Sequence, residues 1–233
     1  VESGVDVPLP PRGLAADADA LFALFFGIGG NFMEPGTGET VAYEAFADTL
    51  SRVLDLYGEA SPGGAAVFKN GGAIFTLAKL ADLPEIGSAA DYGILPLPKL
   101  SAADDYRSCI ELHGTAMAAV PAGVPEADKV SYLFERMSFL SRGYVEPLLR
   151  DTVVGGVSDD ARVLALIYDG ADGSVTDLFG YGDIPGWIAD VAARGTYRLE
   201  MEFYKRKTLC EKALSIVAKR LNPAAASEPD TEE

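Results

Sequence analysis

Apolar positions recur at helical steps in several separate stretches of the chain. The best patterned is Tyr43, Phe46, Leu50, Val53, Leu54 and Tyr57, which share one stripe of a 3.6-residue helix. Gly58 and Ser61-Pro62-Gly63-Gly64 end that pattern. Upstream, Leu21, Phe22, Leu24, Phe25 and Phe26 predict a shorter buried helix, with Asp17 and Asp19 as candidate N-caps. Gly27-Ile28-Gly29-Gly30 supplies its stop, because glycine accepts the left-handed cap conformation. Downstream, Val130, Leu133, Phe134, Met137 and Leu140 outline the apolar face of a long helix opened by Pro125-Glu126-Ala127-Asp128. Val163, Leu164, Ile167 and Tyr168 mark another, capped by Ser158, with Asp159 and Asp160 in the first turn where they favour the helix dipole. A last long helix is expected from about Tyr197 to Leu221.

Between the helices lie short apolar runs bounded by turn residues. The run Ala73-Ile74-Phe75-Thr76 after Gly71-Gly72 fits either a strand or a helix start. Leu77 to Leu83 reads as helix closed by Pro84, and Asp91 to Pro98 as a short strand leaving its sheet at the prolines. Thr115 to Val120 predicts a second strand, ended by Pro121. Ser101 to Asp105 is a polar linker and the candidate crossing between two lobes. From Pro223 the chain becomes a small-residue acidic tail, expected to be disordered. No internal repeat is present. Helices separated by a few short strands imply α/β lobes whose sheets are completed elsewhere, with a missing N-terminal segment as the candidate.

Composition narrows the partners. The 233 residues suffice for one large domain or two small lobes. No run approaches the ~20 apolar residues needed to span a bilayer; the longest, Ala18 to Ile28, reads as a buried helix. Lys and Arg total 19 against 35 Asp and Glu, a net charge of −16. Such a surface repels phosphate backbones and lacks a polybasic membrane face. Cys109 and Cys210 have no metal-type spacing. They read as free, buried thiols; a disulfide would require them to meet in space. The chain opens at Val1 without a Met, a basic segment or an apolar signal segment, so a processed or N-terminally incomplete protein is expected.

Candidate chemistry fails on context. Gly27-Ile28-Gly29-Gly30 follows a predicted helix and precedes no Lys-Ser or Lys-Thr, the reverse of a phosphate loop. His113 is the single histidine, so a zinc site has no second imidazole. No Gly-x-Ser-x-Gly occurs for a nucleophilic serine. The paired acids Asp159-Asp160 explain themselves as helix N-terminal charges. Glu200 and Glu202, beside Lys205, Arg206 and Lys207, suggest a solvated helix face rather than a glycosidase pair. No catalytic constellation, metal or cofactor is expected.

Several segments in order do resemble a known family. Phe68-Lys69-Asn70-Gly71-Gly72-Ala73, then Asp91-Tyr92-Gly93-Ile94-Leu95-Pro96-Leu97-Pro98-Lys99, then Gly114 to Pro121 are similar to the extracellular solute-binding proteins of bacterial sugar importers, the maltose-binding-protein-like class. The helix Ala127 to Leu140, and the stretch from Asp177-Leu178-Phe179-Gly180 through Trp187 to the last helix, also fit that pattern. Ile110-Glu111-Leu112-His113 departs from it, where such relatives often carry Asn and Asp.

The resemblance implies an α/β, helix-rich, periplasmic-binding-protein-like (type II) fold, with the N-terminal part of one lobe and the lipid-attachment cysteine missing. It divides the chain into a lobe segment over 1–102, a return segment of the other lobe over 103–156, closing helices over 157–222 and a tail over 223–233. It implies a non-enzymatic, monomeric, cell-surface lipoprotein that captures a sugar and docks on an ABC permease after hinge closure. Sugar sites combine aromatic faces with a ring of hydrogen-bonding groups. The candidate ligand residues are therefore Trp187, Phe32 and Tyr181, with Asn31, Glu111 and His113 beside the expected cleft. Phe25 is a weaker candidate, since its spacing suits a helix core. A fragment or interaction module without ligand binding, and a carbohydrate-active enzyme, are the alternatives.

Overall fold

A computed structural model of the protein describes residues 12–34, 37–87, 92–110, 120–121, 123–153, 158–173 and 180–221. The strand expected at Thr115–Val120 falls outside this set except for Val120. Glu111, His113 and the acidic tail also lie outside the described residues.

The two best-patterned helices form where the apolar stripes place them. Helix α1 is Leu21–Gly27 and α2 is Tyr43–Gly58. Phe25, Leu50 and Val53 are fully buried and Phe46 nearly so. Gly29, at φ +95°, begins the turn that releases the chain from α1. Asp17 has a different task from the expected cap. Its side chain makes no capping bond in the following turn and instead accepts the Gly63 N–H at 3.0 Å. That bond draws Asp17 against Gly64, where a Cβ would collide with the carboxylate.

Strand β1, Arg12–Ala15, runs parallel to β2, Ala73–Thr76, pairing Leu14 with Phe75 and Ala15 with Thr76. Ser61 bridges the other side of β1, exchanging backbone bonds with Leu14 and Ala16. The apolar run after Gly71-Gly72 is thus a strand. Helix α3, Gly64–Lys69, precedes β2.

Two expectations change in the next stretch. The helix expected over Leu77–Leu83 is reduced to a single tight turn, Leu80–Asp82, and the true helix α4 is Leu83–Gly87. Pro84 lies in the first turn of α4, where a missing N–H has no effect. The segment from Tyr92 to Lys99 joins no sheet. It lies over α4, with the Tyr92 hydroxyl donating to the Leu83 carbonyl at 3.1 Å. A second parallel pair joins β3, Ser108–Cys109, to β4, Ala171–Asp172.

Helix α5 is Ala127–Val153, α6 is Ser158–Asp169, α7 is Ile184–Arg194 and α8 is Leu199–Leu221. Helix α7 is an addition to the elements expected from the sequence. Its stretch reads as a loop because of Pro185 and Gly186, yet Pro185 falls in its first turn, and Asp183 accepts the Gly186 N–H at its N-cap.

Helices α1, α2, α7 and α8 enclose the main core. Phe46 is its centre, stacked on Trp187 at 5.3 Å and 2°, with Phe25 and Phe203 each about 5.2 Å away. Ring pairs of this kind add about 0.5–1.5 kcal/mol each beyond the area they bury. A smaller cluster joins Leu83, Ile86, Ile94 and Leu164. Beside it Lys69 contacts Glu85 at 2.6 Å, tying α3 to α4 and holding the Glu85 carboxyl below its ordinary pKa.

Candidate functional site

The polar linker Ser101–Asp105 is a closed turn. The Lys99 ammonium donates to the carbonyls of Ala102 at 3.1 Å and Asp104 at 2.6 Å, and lies 4.5 Å from the Tyr106 ring. The Ser101 N–H donates to the Asp104 carboxylate at 2.9 Å. The chain leaves this turn straight into β3, which packs on α1. Pairing with β4 depends on Gly170, since a Cβ there would strike the Tyr106 carbonyl.

Arg107 stands at that junction. Its guanidinium lies 4.0 Å from the centre of the Phe26 ring, and Nη2 donates to Asn31 Oδ1 at 3.4 Å. Asp172 Oδ2, on β4, is 3.7 Å from the same nitrogen. Three stretches distant in sequence therefore meet around one cation: the end of α1 with its following turn, the entry to β3, and β4. The Arg107 side chain is 23% exposed and Asp172 is 62% exposed. The arrangement is a polar seam at the protein surface, with an apolar ring as its floor.

The candidate residues divide around this seam. Asn31 is half-buried and lies in it. Phe32, the next residue, turns into the core against Phe46, Phe203 and Trp187. Trp187 is fully buried on α7; its Nε1–H donates to Glu202 at 2.7 Å, and the Arg206 guanidinium lies 4.9 Å from its ring. Glu202 is thus a half-buried partner of an indole, not the solvated acid its charged neighbours suggest. Tyr181 is half-buried and packs on the main core from a tight turn with left-handed residues at Gly180, Gly182 and Asp183. Arg206 donates to the Gly182 carbonyl in that turn. Phe25 is core, as its spacing indicates.

Arg107 and Asp172 are not among the residues expected from the sequence. Both sit in short segments with no periodicity. The available signal for Arg107 was a single cation two residues after the acidic pair Asp104-Asp105, just past a predicted crossing.

Cys210 is buried and free, and burial pushes its thiol up to about 11. Cys109, on β3, is a half-buried thiol. Among the described residues no group of three His, Cys, Asp or Glu side chains is placed to hold a metal ion. None of the described helices is long and apolar enough to cross a membrane. A shallow apolar groove of about 490 Å³ lies between the C-terminal ends of α2 and α7, lined by Leu54, Tyr57, Pro62 and Val191 among others. It holds no charged side chain and none of the residues above.

No protein-family model and no curated protein sequence matches the chain. Among solved structures it is similar to UgpB from Mycobacterium tuberculosis in complex with glycerophosphocholine, with a TM-score of 0.51 and 18% identity. The likeness covers 92% of this chain and 60% of that one, so the chain spans about three-fifths of the length of that structure. The fold is periplasmic-binding-protein-like, in a helix-rich form with little sheet.

Proposed function

We propose that this chain is part of the ligand-binding component of an ABC importer and captures a small solute, a sugar or oligosaccharide in the first instance. The observation that carries the reading is the likeness of fold over 92% of the chain to a protein whose structure holds a small polar ligand, glycerophosphocholine. The reading places the protein outside the cytoplasm, with a permease as its partner and a lipid anchor as its attachment.

In this reading the closed turn at Ser101–Asp105 carries the chain between lobes, and residues 103–156 belong to the lobe opposite 1–102. Asn31 supplies a polar contact at the crossing, and Glu111 and His113, shortly after β3, are its proposed neighbours. Trp187, Phe32 and Tyr181 support the wall behind them from the core; a ligand reaches these rings only where closure or opening exposes an edge. Binding without turnover is expected, because hinge closure around a solute needs hydrogen bonds and shape rather than an activated nucleophile.

Titration calorimetry against a panel of mono- and oligosaccharides and polyols, with chromatography of the recovered ligand, tests the proposal. Saturable binding with the ligand recovered intact is the expected result. Conversion to products would make the protein an enzyme, and a panel without any binding would remove the solute-capture reading for this chain.

A further inference from the structure

We infer that Arg107 is a receiving site for an anionic group, so that the solute taken by this chain carries a carboxylate or a phosphate. The inference rests on the solute-binding reading and adds the charge of the ligand to it.

A guanidinium offers five N–H donors in a rigid plane. At Arg107 only Nη2 is engaged, at the long distances of 3.4 Å to Asn31 Oδ1 and 3.7 Å to Asp172 Oδ2. The second exceeds hydrogen-bonding distance. Among the described residues the other donors of Arg107 meet no protein acceptor. A cation withdrawn from water to 23% exposure yet so loosely paired is unfavourable by itself. An anion delivering two oxygens to the free edge would relieve it through a bidentate pair.

The surroundings favour that use. Phe26 is 2% exposed and its ring faces the guanidinium at 4.0 Å. Its face fixes the plane of the fork and leaves the N–H edge directed elsewhere. Asn31 accepts through its oxygen, so its amide –NH2 remains a donor for the same guest. Asp172 is 62% exposed and can turn to solvent when a ligand oxygen takes its place. With a net charge of −16, the protein repels anions at long range; attraction must therefore be local, and Arg107 supplies it.

The test uses two matched pairs of probes: glucose with glucuronate, and glycerol with sn-glycerol 3-phosphate, titrated by calorimetry at low and moderate salt. At least one charged probe should bind ten-fold or more tighter than its neutral match, with the difference shrinking as salt is added. Arg107→Gln should abolish that difference. Asp172→Asn should tighten the charged probe several-fold, an effect that a purely structural arginine would not produce. Tight binding of a neutral solute untouched by Arg107→Gln overturns the inference and leaves solute capture standing. Failure of all four probes to bind, while a neutral saccharide of the wider panel does, overturns it equally; if nothing binds, both readings fall. Should Arg107→Gln not fold, Asp172→Asn decides alone, and unchanged or weaker anion binding overturns the inference.

Discussion

Helices α2 and α5 carry the same kind of apolar stripe and end in opposite environments. In α2, Phe46, Leu50 and Val53 are no more than 1% exposed. In α5, Leu133, Met137 and Leu140 repeat at similar steps and are 58%, 59% and 51% exposed. The difference lies in what faces each stripe. Helix α2 meets α1 and α7, whose own sequences bring Phe25 and Trp187 into contact with Phe46. Helix α5, 27 residues and ~40 Å long, packs mainly at α4 among the described residues. Periodicity identifies the face of a helix that can be buried, and a complementary surface decides whether it is.

The contrast breaks most sharply at Phe46. Replacing it with Ala removes a ring that touches Phe25, Phe32, Trp187 and Phe203. A loss of about 3–5 kcal/mol is expected from the missing ring and the cavity it leaves, read as a lower denaturant midpoint in equilibrium unfolding.

A smaller effect separates core from surface at the two thiols. Cys210 should react with a thiol reagent only on unfolding, whereas half-buried Cys109 reacts in the native protein. The folded state holds the Cys210 proton above its ordinary pKa of 9.0, up to about 11. Its stabilising contribution is therefore complete below pH 9 and lost as pH rises towards 11. The alkaline decline in stability should be shallower for Cys210→Ala than for wild type; equal slopes would mean that this thiol is not tightly enclosed.

The smallest effect belongs to α5. The double variant Leu133→Glu, Leu140→Glu should leave unfolding stability within about 0.5 kcal/mol of wild type, as expected where no packing is removed. A loss comparable to that of Phe46→Ala would show that this face is covered in solution.

Legibility followed the length of the pattern. The stripe from Tyr43 to Tyr57 spans four turns and coincides with α2, and Gly27-Ile28-Gly29-Gly30 ended α1 where expected. Strands of two to four residues cannot display a period, so the pairing of β1 with β2 and of β3 with β4 was not visible. Pro84, Pro185 and Gly186 misled for one reason. Residues that break a helix interior are tolerated in its first turn, and local sequence does not say which position a proline will occupy. Of the residues expected at the site, Asn31 lies beside Arg107 in the polar seam, and Glu111 and His113 fall outside the described residues. Arg107 and Asp172 acquire meaning from a contact between segments 65 residues apart.

The sequence by itself determined the helix-rich α/β character, the acidic surface, the positions of the long helices and the side of each that is apolar. These depend on interactions between residues a few positions apart and on summed charge. The tertiary structure alone decided that Trp187 belongs to the core with Glu202 as its partner, that Leu133, Met137 and Leu140 of α5 are exposed among the described residues, and that Phe26, Asn31, Arg107 and Asp172 meet. Each of these depends on contacts distant along the chain, and such contacts form only when whole elements pack.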